Sequence, residues 1–184
     1  MTLYHKIVVI FFIQICFVST VVAQENLLLR AQASIFPKIV ILDKDIEVKK
    51  VGESIVILIV HNDLKQAIAK EMEELLKAEY KSNLGDHKLI IETVTYDQFL
   101  TKSSKLATAY MLIGGESKDH ELVTNYAENH HRVAFSYDYE HMQNNVLVSL
   151  LVKEKTYIYL NKQALKKYDI RFLPFFYKIV KVVE

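Results

Sequence analysis

Two short polar clusters in this 184-residue chain combine the residue types and the setting of a binding site. His61-Asn62-Asp63 closes one aliphatic run, and Gly114-Gly115-Glu116 closes another. Imidazole, amide and carboxylate groups supply donors and acceptors, and paired glycines let a backbone approach a ligand closely. In open parallel sheets, ligands sit beyond the carboxyl ends of the strands, where the strand order reverses. A spatial order of 2-1-3-4 for the first four long strands brings the two clusters to that place. The same residues also have a plainer use, since Asn62 or Asp63 can cap a helix and the glycines can form a turn.

Other constellations carry less chemistry. Histidines at 61, 87, 120, 130, 131 and 141 could in part surround a metal, but adjacent His130-His131 entering a strand point to opposite faces. Asp43, Asp45 and Glu47 alternate without the loop glycine and further ligands of a hand-type calcium site, so a solvated acidic turn is expected. The four glycines build neither a dinucleotide fingerprint nor a P-loop, and no nucleophile elbow or H-E-x-x-H helix occurs. No catalytic residue, metal or cofactor is therefore expected. Tyrosine is abundant, 11 in all, and Tyr157 and Tyr159 share one strand face. They either present a recognition surface or pack beneath the last helix.

The elements that must position these residues follow from periodicity. Ser54 to His61 reads as a strand buried on both faces, Asn62 onward as a helix with Leu64, Ile68, Met72, Leu75 and Leu76 inward, ended by Asn83-Leu84-Gly85. Lys88 to Thr95 is a second strand, Tyr96 to Leu100 at most a short helix, and Ala107 to Ile113 a third strand. Ser117 can cap a helix whose inner face is Leu122, Val123, Tyr126 and Ala127, before a fourth strand at Arg132 to Ser136. This β-α-β-α-β-α-β order is that of a parallel three-layer sheet. Val146 to Val152 and Thr156 to Leu160 form an edge hairpin, Asn161 caps a helix through Lys167, and Pro174 to Val183 is read as a terminal helix with Phe175 and Phe176 on its apolar face. That face is broad enough to be part core and part partner or homodimer contact. Before the first strand, Asn26 to Leu42 is helical in pattern, with Pro37 expected to bend or divide it.

Met1 to Ala23 has the pattern of an export signal: Lys6 before an apolar run, and Val21-x-Ala23 before the cut. The apolar run from Ile7 to Val22 falls short of the roughly 20 residues of a membrane span. Residues 24–184 then form one exported α/β domain that is not membrane-spanning. Cys16 is the only cysteine, so the exported chain would hold no disulfide and no thiolate chemistry. Lys6 is also the only charged residue of the signal, so the remaining basic residues match the 22 acidic ones, and nothing supports a nucleic-acid partner.

Val146-Leu147-Val148-Ser149-Leu150, Thr156-Tyr157-Ile158-Tyr159-Leu160-Asn161, Ala164-Leu165-Lys166-Lys167 and Asp169-Ile170-Arg171-Phe172 occur in that order before the apolar ending. With Ile57-Leu58-Ile59-Val60 and Ala109-Tyr110-Met111-Leu112-Ile113, this pattern resembles the YfiR/HmsC-like family of small periplasmic regulators. The resemblance spans nearly all of the exported chain and rests on pattern. It departs at Gln143-Asn144-Asn145, where the family often carries a glycine pair, and in lacking cysteines for a redox response. The resemblance implies a non-enzymatic regulator that contacts a membrane-bound diguanylate cyclase or feeds a signalling protein such as a histidine kinase. The alternative is a small-ligand sensor or solute-binding module resembling one lobe of a periplasmic binding protein.

Overall fold

The computed structural model describes residues 25–101 and 106–184, and Met1 to Ala23, where an export signal is expected, lies outside them. Residues 25–40 form helix α1, unbroken at Pro37. One helical turn, α2 (Ile46–Lys49), leads to strand β1 (Ser54–His61), whose eight residues are all buried. A 3₁₀ turn at Asp63–Lys65 then runs into α3 (Gln66–Tyr80). Its buried Ala69, Met72 and Leu76 recur at helical spacing. The short β2 (Asn83–Leu84) precedes β3 (His87–Thr95), α4 (Tyr96–Thr101) and β4 (Ala109–Ile113). There follow α5 (Ser117–Asn129), β5 (Val133–Ser136), a 3₁₀ turn at Tyr139–Gln143, β6 (Val148–Val152) and β7 (Thr156–Asn161). Then come α6 (Lys162–Tyr168), the single turn α7 (Phe176–Ile179) and β8 (Val180–Val183).

The strands form one eight-stranded sheet in the order β2-β3-β1-β4-β5-β6-β7-β8. Only β2–β3 and β6–β7 pair antiparallel. The chain is thus a single α/β domain with a mostly parallel sheet, and β3-β1-β4-β5 realises the expected 2-1-3-4 order. Successive strand residues point to opposite faces. On one face Phe36 of α1 stacks on Phe135 at 4.4 Å, and α1 is tied to α3 by the Tyr80 hydroxyl donating to the Ser34 carbonyl. On the other, Phe99 of α4 and Tyr126 of α5 meet Tyr110 edge-on. These contacts make three layers around a core that runs the length of β1 and β4.

The ending differs from the sequence expectation. Pro174 to Val183 is not a helix: α7 is one turn, and Val180–Val183 joins the sheet parallel to β7. Val180, Val182 and Val183 are β-branched and favour a pleated ladder over a helix. The β6–β7 hairpin is consequently one strand inside the edge. At the opposite edge, α3 already ends at Lys81, in the left-handed region at φ 45, and Asn83–Leu84 pairs with β3 rather than terminating the helix. Glu116, not Ser117, is the cap of α5, in a reciprocal capping box with Asp119. Asn161 caps α6 as expected, accepting from the Ala164 N–H at 2.9 Å.

Candidate functional site

The two sequence-marked clusters meet at the carboxyl ends of β1 and β4, and they meet in contact. Gly114 has φ +63, and a Cβ there would lie 2.7 Å from Lys65 Cγ and 2.8 Å from Asn62 Oδ1. A Cβ on Gly115, at φ +97, would lie 2.7 Å from the Tyr96 ring. The Gly114 carbonyl accepts from the Tyr96 hydroxyl at 2.9 Å and from His120 Nε2–H at 2.7 Å. Asn62 Oδ1 accepts from the Lys65 N–H at 3.1 Å, closing the 3₁₀ turn. Asp63 and Glu116 are exposed on either side. Asn62, Lys65 and Tyr96 therefore occupy the space between the loops, so the glycines serve close packing.

His120 is fully buried and its Nδ1 lies 3.3 Å from the Asn144 amide nitrogen. With Nε2 protonated toward Gly114, Nδ1 must accept, so the ring is held neutral. Burial pushes its pKa below the ordinary 6.5, and the neighbouring His141 adds to this against the Gly114 hydrogen bond, Asp119 and Asp138. The His141 ring packs edge-on against it at 4.2 Å. His130 and His131 spend Nδ1–H on the backbone carbonyls of Tyr126 and Tyr168. The acidic trio is committed as well: Asp43 pairs in the interior with Lys49 at 2.5 Å, Asp45 takes Arg171 at 2.8 Å, and Glu47 takes Lys50 at 2.8 Å. Among the described residues no group of three or more histidines and carboxylates is placed to hold a metal.

Open space lies beside the marked loops, in two clefts along the same edge of the sheet. One, of 330 Å³, opens between α1, the 62–65 turn and the end of β5, and is bridged by Lys65 and Glu25 at 3.7 Å. The other, of 620 Å³, opens between α3 and the ends of β1 and β3. Its lining residues are mostly polar in type, although their aliphatic portions leave about half of the wall apolar: His61 from β1, Gln66, Lys70 and Glu73 from α3, and Thr93, Thr95 and Gln98 from β3 and α4, with Ala67 beside them. His61 donates Nδ1–H to the Asn62 carbonyl at 2.8 Å. Thr95 and Gln98 form a reciprocal pair at the start of α4, each side-chain oxygen accepting from the other's backbone N–H. Glu73 accepts from Lys77 at 2.5 Å and from the Thr93 hydroxyl at 2.7 Å. Burial opposes ionisation of Glu73, yet these two hydrogen bonds and the charges of Lys77 and Lys70 hold its carboxyl below its usual range.

Of the marked loop residues only His61 lines this cleft. Gln66, Lys70, Thr93, Thr95 and Gln98 went unmarked, although Gln66 and Lys70 are one helical turn apart and Thr95-x-x-Gln98 is itself a capping-box signature. Tyr157 and Tyr159 lie half-buried on a sheet face rather than under a helix. Lys181 Nζ sits 3.6 Å over the Tyr157 ring, and Tyr139 packs on Tyr159 at 4.5 Å. Phe176 is fully buried against Phe172, whereas Phe175 is 49% exposed.

No protein-family model and no curated protein matches the chain. Solved structures share its fold. A conserved domain protein from Vibrio cholerae O1 biovar El Tor is 13% identical, with 85% of this chain and 60% of that one covered and a TM-score of 0.59. The ABC domain from Streptococcus pneumoniae in complex with L-Trp is 9% identical, with 80% and 60% covered and a TM-score of 0.54. The chain thus spans about 60% of the length of both structures, and the likeness is one of fold. Among the described residues no helix is long and apolar enough to cross a membrane.

Proposed function

We propose that the protein is an exported binding module for a small polar solute, without a catalytic step, and that the solute occupies the cleft between α3 and the carboxyl ends of β1 and β3. The observation that carries this is the cleft itself: 620 Å³ of open space at the carboxyl ends of β1 and β3, lined by residues that are polar in type except for Ala67. Ligand sites are commonly about 300–1,000 Å³, and this cleft opens beyond the carboxyl ends of β1 and β3, on the far side of β1 from the filled crevice at the β1–β4 switch. A protein of similar fold that is seen with L-Trp supports a solute-binding role. Thermal melts against amino acids, sugars and organic acids should show at least one saturable stabilisation. Ala67, exposed in the cleft wall, tests the place: Ala67→Phe should abolish that stabilisation and leave the unliganded melt unchanged. A panel without any stabilising solute, or full binding by the variant, would sink the reading.

A second reading follows from the resemblance to the YfiR/HmsC-like family: a regulator docking on a membrane-bound signalling protein. One observation favours it. Leu173, Phe175, Tyr177, Ile179 and Val182 are all exposed beside the open edge strand β8. Deletion should then raise cyclic-di-GMP output, and unchanged output with no membrane signalling protein co-purifying would count against it.

A further inference from the structure

Five large apolar side chains stand in water beside the open edge strand β8: Leu173, Phe175, Tyr177, Ile179 and Val182, each more than a third exposed. Phe172 and Phe176 of the same segment are fully buried against each other, so the segment is anchored and its outer side is left over. Positive charge gathers at this edge. Lys178 lies within the band, exposed and without a carboxylate partner among the described residues. On the adjoining sheet face, Lys181 of β8 and Lys155 of the β6–β7 turn converge on the Tyr157 ring, 3.6 and 5.3 Å from its centroid. The imbalance is regional. After Val152 the chain carries eight lysines and arginines against three carboxylates, whereas the whole chain is nearly even at 23 against 22. Within that region Glu184 holds Lys162 at 2.5 Å, and Arg171 is taken by Asp45 at 2.8 Å. Six lysines then remain against Glu154 and Asp169.

We propose that this edge docks on an anionic lipid bilayer, with the apolar band entering the interface and the lysines meeting the headgroups. Exposed apolar side chains interspersed with lysine are the composition of a surface that lies in that interface, where insertion and attraction to anionic lipid add. Tyr177 and Tyr157 suit the same depth, having an apolar ring and a polar hydroxyl. Charge selects lipid over a second copy of the chain. Two such edges laid together would set lysine-rich strands against each other, and like charges oppose pairing. The unpaired N–H and C=O groups along the outer side of β8 hold the contact at headgroup level, because an open edge is not tolerated in hydrocarbon. This surface is separate from the cleft at α3, and its assignment does not rest on the solute reading.

Co-sedimentation of the full exported chain with vesicles tests this. Vesicles of equal parts phosphatidylglycerol and phosphatidylcholine should carry the protein down saturably, and vesicles of phosphatidylcholine alone should carry little. Added salt should weaken the binding, because it screens the attraction. Phe175→Ala and Lys178→Gln should each weaken it about fivefold, through the loss of apolar surface in the one and of a charge near anionic lipid in the other. Both side chains are exposed, so both melts should match the wild type. Val48→Ala, at an exposed apolar residue of α2, should bind the vesicles as the wild type does. Ala67→Phe should too, which keeps this test apart from that of the cleft. No binding to the anionic vesicles, or equal binding to both compositions, would overturn the proposal. Undiminished binding by both band variants would place the lipid contact elsewhere and overturn it as well. If the wild type is instead a dimer that Phe175→Ala disperses, and the anionic vesicles stay bare, the band belongs to a second copy and the lipid surface is overturned.

Discussion

At Gly115 the backbone takes φ +97, and the Tyr96 ring occupies the volume a side chain would need. A Cβ there meets the ring at 2.7 Å, and the ring is fixed by its hydroxyl donating to the Gly114 carbonyl. Gly115→Ala should therefore cost about 1–3 kcal/mol, from backbone strain and the forced displacement of Tyr96. Chemical denaturation measures it, and a variant as stable as the wild type would contradict the packing account. His120 makes a second residue-scale case. It is neutral and buried in the fold, with its pKa below the ordinary 6.5. The unfolded chain then takes up the proton first, so its contribution is fully present above about 6.5 and is lost as pH falls through the lowered folded value. Melts from pH 8 to 5 should fall, and His120→Gln should fall less steeply over the same window. Parallel curves would show that His120 does not contribute. The glycine pair was legible as a close-approach site, but which side chain approaches was not. Tyr96 and Lys65 come from other elements and reach Gly114-Gly115 only through tertiary packing.

Elements were most legible where one signal sufficed. The aliphatic run at β1 needs no partner to be recognised, and its span is that of the strand, Ser54–His61. Asn161 was legible for a similar local reason, being a short polar side chain between a strand and a helical pattern. The structure adds a second duty. Its Nδ2 donates to the buried Met142 carbonyl at 2.9 Å while Oδ1 caps α6. Asn161→Ala removes both, leaving one orphaned N–H and one orphaned carbonyl, and should cost about 2 kcal/mol, the upper end for a lost cap. Urea titration checks this, and a loss below a few tenths would mean that water replaces both partners. The segment 174–183 was not legible, because short apolar runs fit helix and strand alike until a neighbouring ladder decides. Here β7 offers that ladder, pairing Ile158 with Val180 through Asn161 with Val183. Asn145 shows the opposite case. At φ 61 it takes a left-handed conformation before β6, a region that asparagine tolerates best after glycine.

Over the whole molecule, the strand order was legible because connection rules leave few choices for an alternating chain. The large cleft was not, because it depends on how far α3 stands off the end of β3, a matter of packing and not of pattern. The same distinction governs the last ten residues. Phe175 and Phe176 are sequence neighbours with the same chemistry, yet Phe176 is fully buried against Phe172 and Phe175 is 49% exposed. Phe176→Ala should leave a cavity beneath the sheet edge and cost roughly 3–5 kcal/mol. Phe175→Ala removes surface that water already reaches, so its melt should shift little. If the exposed band beside β8 joins two copies of the chain, Phe175→Ala should move the molecule to a smaller species in size-exclusion chromatography at a concentration where the wild type is dimeric. If the wild type elutes as a monomer at every concentration, self-association is excluded and the band is left to a different partner. A large loss of stability from Phe175→Ala would instead assign that ring to the core and remove it from any contact surface. Measuring both variants side by side separates packing from association, because only one of the two rings has a face left for a partner.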